Sequence, residues 1–576
     1  MAEKIYRVNM GTLTASSEEV PEKWKGLGGR GLTSTLVAQE VKPTCDPLGR
    51  YNKLIFAPGI LAGTQAPNSG RLSAGGKSPL TGTIKESNAG GTACQCLARL
   101  GIKALIIEGV PEKDTYYHLH VDKNGVKIEK ENEFAGKGNY ELMGIVAKKS
   151  GGKQAIISIG PAGERRLAAA NISVMDPDGN MRSHGRGGLG AVMGSKQIKY
   201  ITIDPTDGPG VYIADPQKFR NAATPFTKGV LKHPVTGEGL KLYGTDVLVN
   251  ILNAAGGLPT RNFRYGQFDG AEKISGETLH DTIVARKGQP SHACHKGCVV
   301  RCSQVYNDKE GRYVTSGFEY ETIWGLGANC MIGDLDILAE ADHIMDDVGV
   351  DSIETSVAMG VAMEGGVIPF GDGAGTLRLL REIGAGTPLG RVLGCGTAAV
   401  GKTFGVTRVP VVKGQGLSAY DPRSVKGIGI TYATSTMGSD HTAGYCIPVN
   451  ILKVGGFIDP LKKDGQVELS RRLQISTALI DSTGLCVFVG FPILDDPSLK
   501  SLFAEMLNAK TGLNDTVDEW LALGRKILIT EHEFNLGAGF TNQHDRLPEF
   551  FEYEPLPPHN VVWDFTGEEI DEFWKF

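Results

Sequence analysis

Cys294, Cys298 and Cys302 stand four residues apart in one run, Ser291-His292-Ala293-Cys294-His295-Lys296-Gly297-Cys298-Val299-Val300-Arg301-Cys302. A fourth, Cys486, lies far downstream in Ile480-Asp481-Ser482-Thr483-Gly484-Leu485-Cys486. Three close thiolates can converge on one metal centre, and a distant fourth can close it, tying two parts of a fold together. Thiolate is the ligand of iron–sulfur clusters. The spacing also suits a stripe of buried thiols on one helix face, but Gly297 and the interleaved His and Lys break such a stripe. A structural zinc site would show paired close cysteines, and no second pair is present. The third spacing differs from that of a radical-enzyme cluster, and no early βα-barrel pattern precedes the run. A 4Fe–4S cluster is the best single reading, and it points to electron transfer.

Loops must bring a cofactor to such a centre. The chain has 576 residues and 78 glycines, about twice the usual share of roughly 7%. The glycines cluster in Gly26-Leu27-Gly28-Gly29-Arg30-Gly31, between Gly59 and Gly75, in Asn88-Ala89-Gly90-Gly91, and in Gly185-Arg186-Gly187-Gly188-Leu189-Gly190. Glycine lets backbone approach a ligand closely, so four such loops suggest a large polar cofactor; turn-rich β structure is the plainer alternative.

Residues 1–209 read as strand-rich. Asn52–Ala57, Ala104–Glu108 and Ala155–Ile159 are short apolar runs ended by Gly or Pro. Tyr117–Val121 alternates, and Asn124-Gly125 signals a hairpin turn into Val126–Ile128. From about 210 the pattern turns helical, with Asp334 as an N-cap before Leu338, Ala341, Met345 and Val348. Leu377, Leu380 and Ile383 mark another helix, and Leu473–Ile480 leads into Cys486. The expected fold is α+β: a β-sheet-rich domain over 1–209, a mainly helical domain over 210–410 holding the cluster run, and a second mainly helical domain over 411–576. A Pro-rich, acidic tail near Pro555–Pro558 is the one stretch that reads as disordered.

Composition bounds the rest. A length of 576 residues exceeds one core. A net charge of -5 suggests neither a nucleic-acid groove nor a basic membrane face. No apolar stretch reaches the ~20 residues of a membrane span. Met1–Met10 lacks a signal-peptide core, and ten cysteines without small-domain spacing fit a reducing compartment, so a cytoplasmic location is expected.

Several segments together carry a family resemblance: Gly28-Gly29-Arg30-Gly31-Leu32, Lys77-Ser78-Pro79-Leu80-Thr81-Gly82, Gly187–Lys196, Glu319-Tyr320-Glu321 and Ala419-Tyr420-Asp421-Pro422-Arg423. With them, the chain resembles tungsten-containing aldehyde:ferredoxin oxidoreductases over nearly its whole length. The resemblance implies a tungsten bis-pyranopterin (tungstopterin, a molybdopterin-type cofactor), Mg2+ between its phosphates, and a 4Fe–4S cluster on Cys294, Cys298, Cys302 and Cys486. The family's cluster motif has its first cysteine where this chain has Ser291, and Cys302 reads as the replacement ligand. The family's pterin pattern, Asp-x-x-Gly-Leu-Cys/Asp, matches twice: Asp346 with Gly349, Val350 and Asp351, and Asp481 with Gly484, Leu485 and Cys486. Arg71 matches the arginine between cluster and pterin, Asn88 and Ser183 match positions near the magnesium, and Arg182 and Arg186 suit the phosphates.

Glu321 and His441 match the two residues beside the metal. The resemblance implies aldehyde oxidation to carboxylate, with Glu321 as proton acceptor and His441 as donor to the carbonyl oxygen. Electrons would pass to ferredoxin or a ferredoxin-like electron-transfer subunit, in an oligomer or multi-subunit complex. The competing expectations are a tungsten-dependent aromatic acyl-CoA reductase subunit and a non-catalytic electron-transfer subunit. Glu340 and His343 match a pair that binds an interface iron in some relatives, or form an ordinary helix pair. Cys330 reads as a core thiol.

Overall fold

The computed structural model describes residues 3–576. Twelve strands form two six-stranded sheets. The first contains β1 (Lys4–Asn9), β2 (Thr14–Glu19), β3 (Leu54–Pro58), β4 (Leu72–Lys77), β5 (Ile84–Ala89) and β6 (Ile102–Glu108), in the order β2-β1-β6-β3-β4-β5. The second contains β7 (Tyr116–Asp122), β8 (Gly125–Glu131), β9 (Ala155–Ser158), β10 (Ile172–Met175), β11 (Met181–His184) and β12 (Ile198–Ile203), in the order β11-β10-β9-β12-β7-β8. Each sheet is antiparallel except for one parallel pair, β1 with β6 and β7 with β12.

Strand periodicity explains the layering. Side chains alternate between faces along a strand. In β3, Leu54 and Phe56 face a core shared with Leu119, Val121, Ile157 and Ile201 of the second sheet. Ile55 and Ala57 face the other way, onto Leu32, Leu36 and Val37 of the helix Gly29–Glu40. The β7–β8 hairpin closes one residue earlier than its sequence suggests. Asp122 pairs with Gly125, leaving Lys123 and Asn124 as the turn, because the Asp122 carboxylate accepts from the Asn124 N–H (2.8 Å). Gly125 takes the positive φ of +126°.

Helices dominate from Pro216–Lys232 onward, so the expected α+β class holds. Asp334 caps Leu335–Val348 as expected, accepting from Asp336 and Ile337 N–H. A small sheet interrupts the helices: β13 (Gln289–His292), β14 (Ser303–Asn307) and β15 (Tyr313–Ser316). The cysteine run is the irregular connection from β13 to β14, not a helix.

The Pro-rich tail corrects the expectation of disorder. Leu556 pairs with Val561, and Phe551, Trp563 and Phe573 are buried in the main helical core. Arg408 pairs with Glu554 at 2.8 Å. Aromatic burial outweighs the local Pro and acidic content. Among the described residues no helix is long and apolar enough to cross a membrane.

Candidate functional site

A cavity of about 360 Å³ opens where the two sheets meet the helical half. Arg71, Asn88, Arg182, Ser183, Arg186, Glu321, His441 and Asp481 line it, together with Cys294, Cys298, Cys302 and Cys486. Asp346, Gly349, Val350, Asp351, Gly484 and Leu485 do not line it.

The cysteines arrive on two loops that one residue staples together. Asn68 is fully buried with a left-handed φ of 57°. Its N–H donates to Gly297 O (3.0 Å), and its carbonyl accepts from Cys486 N–H (2.9 Å). Its side chain donates to Cys298 Sγ (3.5 Å) and accepts from Val299 N–H (3.2 Å). Cys294, His295 and Cys298 bring their ligand atoms within 4.8 Å of one another. The Cys294 thiol is driven down, first by its hydrogen bond with Cys298, while burial pushes Cys486 up to about 11. Ser291 points elsewhere: its hydroxyl donates to Arg301 O at 3.0 Å.

Arg71 sits between this group and the second Asp motif. Its Nη2 donates to Asn88 O (2.8 Å), and its Nε to the Asn88 side chain. Burial pulls the guanidinium down, but the Cys486 and Cys294 sulfurs outweigh it and hold Arg71 above its ordinary value.

The two Asp-x-x-Gly motifs share one local structure. Each Asp lies in the last turn of a helix, and the Gly three residues on is the left-handed cap: Gly349 at φ 78° and Gly484 at φ 79°. Asp481 accepts from Arg30 and Asn88 (3.3 Å each), and burial pushes it up to about 6. Leu485 is fully buried behind it. Asp346 is pushed up to about 7 by burial, against the pull of Arg182. Val350 O accepts from Asn171 (2.9 Å), whose amide also reaches Ser183 Oγ (3.2 Å). Asp351 caps the following helix through Ile353 N–H (3.0 Å) and accepts from Arg186 Nε (3.2 Å).

The glycine loops divide between backbone packing and the cavity wall. A Cβ on Gly29 would lie 2.2 Å from Asp481 O, and one on Gly59 would lie 2.1 Å from Gly484 N. These loops let backbone pack on the second Asp motif. Gly90 and Gly185 do line the cavity, and a Cβ on Gly185 would meet only open space.

Glu321 and His441 form the far wall. His441 Nε2 lies 3.2 Å from Glu321 Oε1, and Glu321 Oε2 accepts from Ala419 N–H (3.1 Å). Burial pushes Glu321 up to about 8 and His441 down to about 4. Both groups are therefore mostly uncharged at neutral pH. Asp440 caps the turn that carries His441, accepting from Thr442 N–H (3.2 Å), and pairs with Lys85 (3.2 Å). Tyr420 and Tyr445, joined hydroxyl to hydroxyl at 3.0 Å, flank the imidazole with ring centroids 5.5 and 5.9 Å away.

The donor set fits a charged, metal-bearing cofactor. Four buried polar atoms on cavity-lining residues have no protein partner: Glu86 Oε1, Arg182 Nε, Ser303 Oγ and Glu321 Oε1. Buried polar atoms are ordinarily paired. Guanidinium groups suit phosphate oxygens, carboxylates can accept from amine-bearing rings, and thiols crowd one end. Arg182 also holds Asp176 and Ser316 (3.0 Å each).

Sequence reasoning missed several supports. Arg30 forms a buried fork with Glu531 (2.9 and 2.8 Å), but Glu531 lies on a distant helix with no local signal. Asn68 reads in sequence as an ordinary turn residue. Cys330 is a core thiol as expected. Glu340 pairs with Arg381, while His343 donates from Nδ1 to Val314 O (2.7 Å) and stacks on Tyr140, so the two side chains have separate partners.

Comparison with known proteins places this geometry. The family model "Aldehyde ferredoxin oxidoreductase, N-terminal domain" matches residues 5–205, and "Aldehyde ferredoxin oxidoreductase, domains 2 & 3" matches residues 221–575. Tungsten-containing aldehyde ferredoxin oxidoreductases of Pyrococcus furiosus and Thermococcus kodakarensis are 36% and 38% identical, over 96% of this chain and 92% of each relative. The active-site complex BamBC of benzoyl coenzyme A reductase shares the fold, with a TM-score of 0.81, 18% identity and coverage of 100% of this chain and 94% of that one.

Proposed function

The chain belongs to the aldehyde ferredoxin oxidoreductase family, and from that premise we propose that this oxidoreductase converts aldehydes to carboxylic acids at a tungsten bis-pyranopterin in the cavity. The observation that carries the proposal is the convergence of the four thiols, Arg71, Asp481 of the second Asp motif and the Glu321–His441 pair on one cavity. Cys294, Cys298, Cys302 and Cys486 would hold a 4Fe–4S cluster. Asp346 and Asp481 would anchor the two pterins, Arg71 would stand between pterin and cluster, and Arg182, Arg186, Asn88 and Ser183 would face the phosphates and their Mg2+. When bound, the tungsten centre accepts the two electrons released as an aldehyde and water become a carboxylate and three protons.

The chain's own residues orient the substrate and manage protons. His441 directs a ring N–H toward the carbonyl oxygen and makes the carbon more electrophilic. Glu321 receives a proton from water or from the hydrated aldehyde. Its burial makes it a stronger base than a free carboxylate once ionised. Tyr420 and Tyr445 give the pocket an apolar wall that limits water around the pair. A cluster on Cys294, Cys298, Cys302 and Cys486 would supply one-electron transfer to ferredoxin or a partner iron–sulfur subunit.

Metal analysis of anaerobically purified protein tests the reading. Tungsten and pterin should accompany iron, with iron in about fourfold excess over tungsten for one 4Fe–4S cluster. Iron with little tungsten would mark an electron-transfer subunit and overturn the proposal.

A further inference from the structure

His441 can carry its neutral-state proton on either ring nitrogen, and the choice decides whether Nε2 gives or takes a hydrogen bond toward Glu321 and the cavity. The surroundings of Nδ1 bear on that choice. Its neighbour is Ser418 Oγ, 3.0 Å away and fully buried. Ser418 Oγ in turn accepts from Arg186 Nη1 (3.1 Å). A guanidinium has only donors and keeps its charge in proteins, so the direction of that bond is fixed.

Arg186 is itself immobilised. It donates to Asp351 Oδ2 (3.2 Å), Ser439 O (2.7 Å) and Gly416 O (2.6 Å). The nearby Tyr432 hydroxyl gives its proton to Tyr420 O (3.4 Å). Ser418 has one hydroxyl proton and two neighbours left to take it, His441 Nδ1 and the Tyr432 oxygen; given to Nδ1, it makes that nitrogen the acceptor. The ring proton then sits on Nε2, 3.2 Å from Glu321 Oε1.

We propose that Ser418 is a positioning residue: relayed from Arg186, its hydroxyl locks His441 in the Nε2–H tautomer, so the imidazole presents a donor on the Glu321 side of the cavity, toward the substrate oxygen. The inference rests on the reading of His441 as the carbonyl's donor. Burial, which holds the imidazole neutral, makes a single tautomer meaningful. In the other tautomer, the bare Nε2 would face Glu321 Oε1, and two lone pairs would oppose each other once Glu321 ionises.

The test is long-range 1H–15N correlation on 15N-histidine-labelled holoenzyme, with the His441 signals assigned by loss in His441→Gln. Wild type and Ser418→Thr, which keeps the hydroxyl, should show the Nε2–H pattern. Ser418→Ala should show a mixture or the Nδ1–H pattern. Its kcat for aldehyde-dependent viologen reduction should fall by about 10-fold to 10⁴-fold, the range reached when a tautomer-fixing partner is lost. KM, tungsten and iron content should stay near wild type. An Nδ1–H signal in the wild type overturns the proposal whatever the variants do, as does an unchanged tautomer or kcat in Ser418→Ala. The tautomer readout needs no turnover. An Nε2–H wild type that loses this state in Ser418→Ala yet oxidises no aldehyde would therefore refute the functional reading alone.

Discussion

Glu321 and His441 show what burial does to a pair of ordinary side chains. With Glu321 pushed up to about 8, a base at this position is mostly protonated at pH 7 and ionises as pH rises. The sign follows: if Glu321 must be deprotonated to act, kcat/KM for aldehyde rises with pH and levels above about pH 8. A stopped-assay pH series with viologen as acceptor reads this directly, and a profile falling over the same range would remove Glu321 from the base role. Glu321→Gln should keep tungsten and iron but lose ~10²–10⁴-fold in kcat, the usual contribution of a positioned acid–base group. At the other end of the cavity, Cys302→Ser should lower iron content or shift the cluster's EPR signal. Ser291→Ala should change neither, because the Ser291 hydroxyl is engaged with Arg301 O. A cluster unaffected by the Cys302 change would exclude that residue as a ligand.

At the scale of elements, two helices end in the same local structure. Leu335–Val348 and Gln466–Thr483 each finish with Asp-x-x-Gly, and each Gly is the left-handed cap. Asp346→Ala and Asp481→Ala should each yield protein poor in tungsten and pterin by metal and pterin analysis; full occupancy in both would refute the anchoring role. The second helix is also held from outside the motif, through Arg30 between Asp481 and Glu531. Removing one partner of a buried pair costs about 3–5 kcal/mol, so Glu531→Ala should destabilise the protein by about that much in a denaturant titration. These elements differ in how legible they are in sequence. The Asp-x-x-Gly repeats, the Asp334 cap and the cysteine spacing are local patterns, and residue types alone reveal them. Asn68, Glu531 and Ser418 act across hundreds of residues, and nothing in their own neighbourhoods distinguishes them from a turn, a helix surface and a loop. The glycine loops are visible in sequence, but Gly29 and Gly59 accommodate the backbone of Asp481–Gly484, a contact that no window of sequence contains.

On the scale of the whole molecule, the cavity is the joint between two architectures. The stacked sheets supply Arg71, Asn88 and Ser183, and the helical half supplies Glu321, His441 and Asp481. A ligand that binds only the folded state stabilises it, and one that spans the joint should do so strongly. Cofactor-loaded protein should melt at a higher temperature than protein made without tungsten, by calorimetry under anaerobic conditions; equal melting would separate the cofactor from the joint. The α+β order was readable from strand patterns giving way to helical ones, whereas the packed C-terminal tail was not, because its Trp563 and Phe573 find their partners only in the assembled core. The central claim is aldehyde oxidation, and one measurement meets it most directly: anaerobic incubation of the tungsten-replete protein with aliphatic and aromatic aldehydes and a viologen dye, counting carboxylate formed against dye reduced. The account predicts about two one-electron dye reductions per carboxylate, and tungsten-replete protein that forms no carboxylate from any of these aldehydes would contradict it.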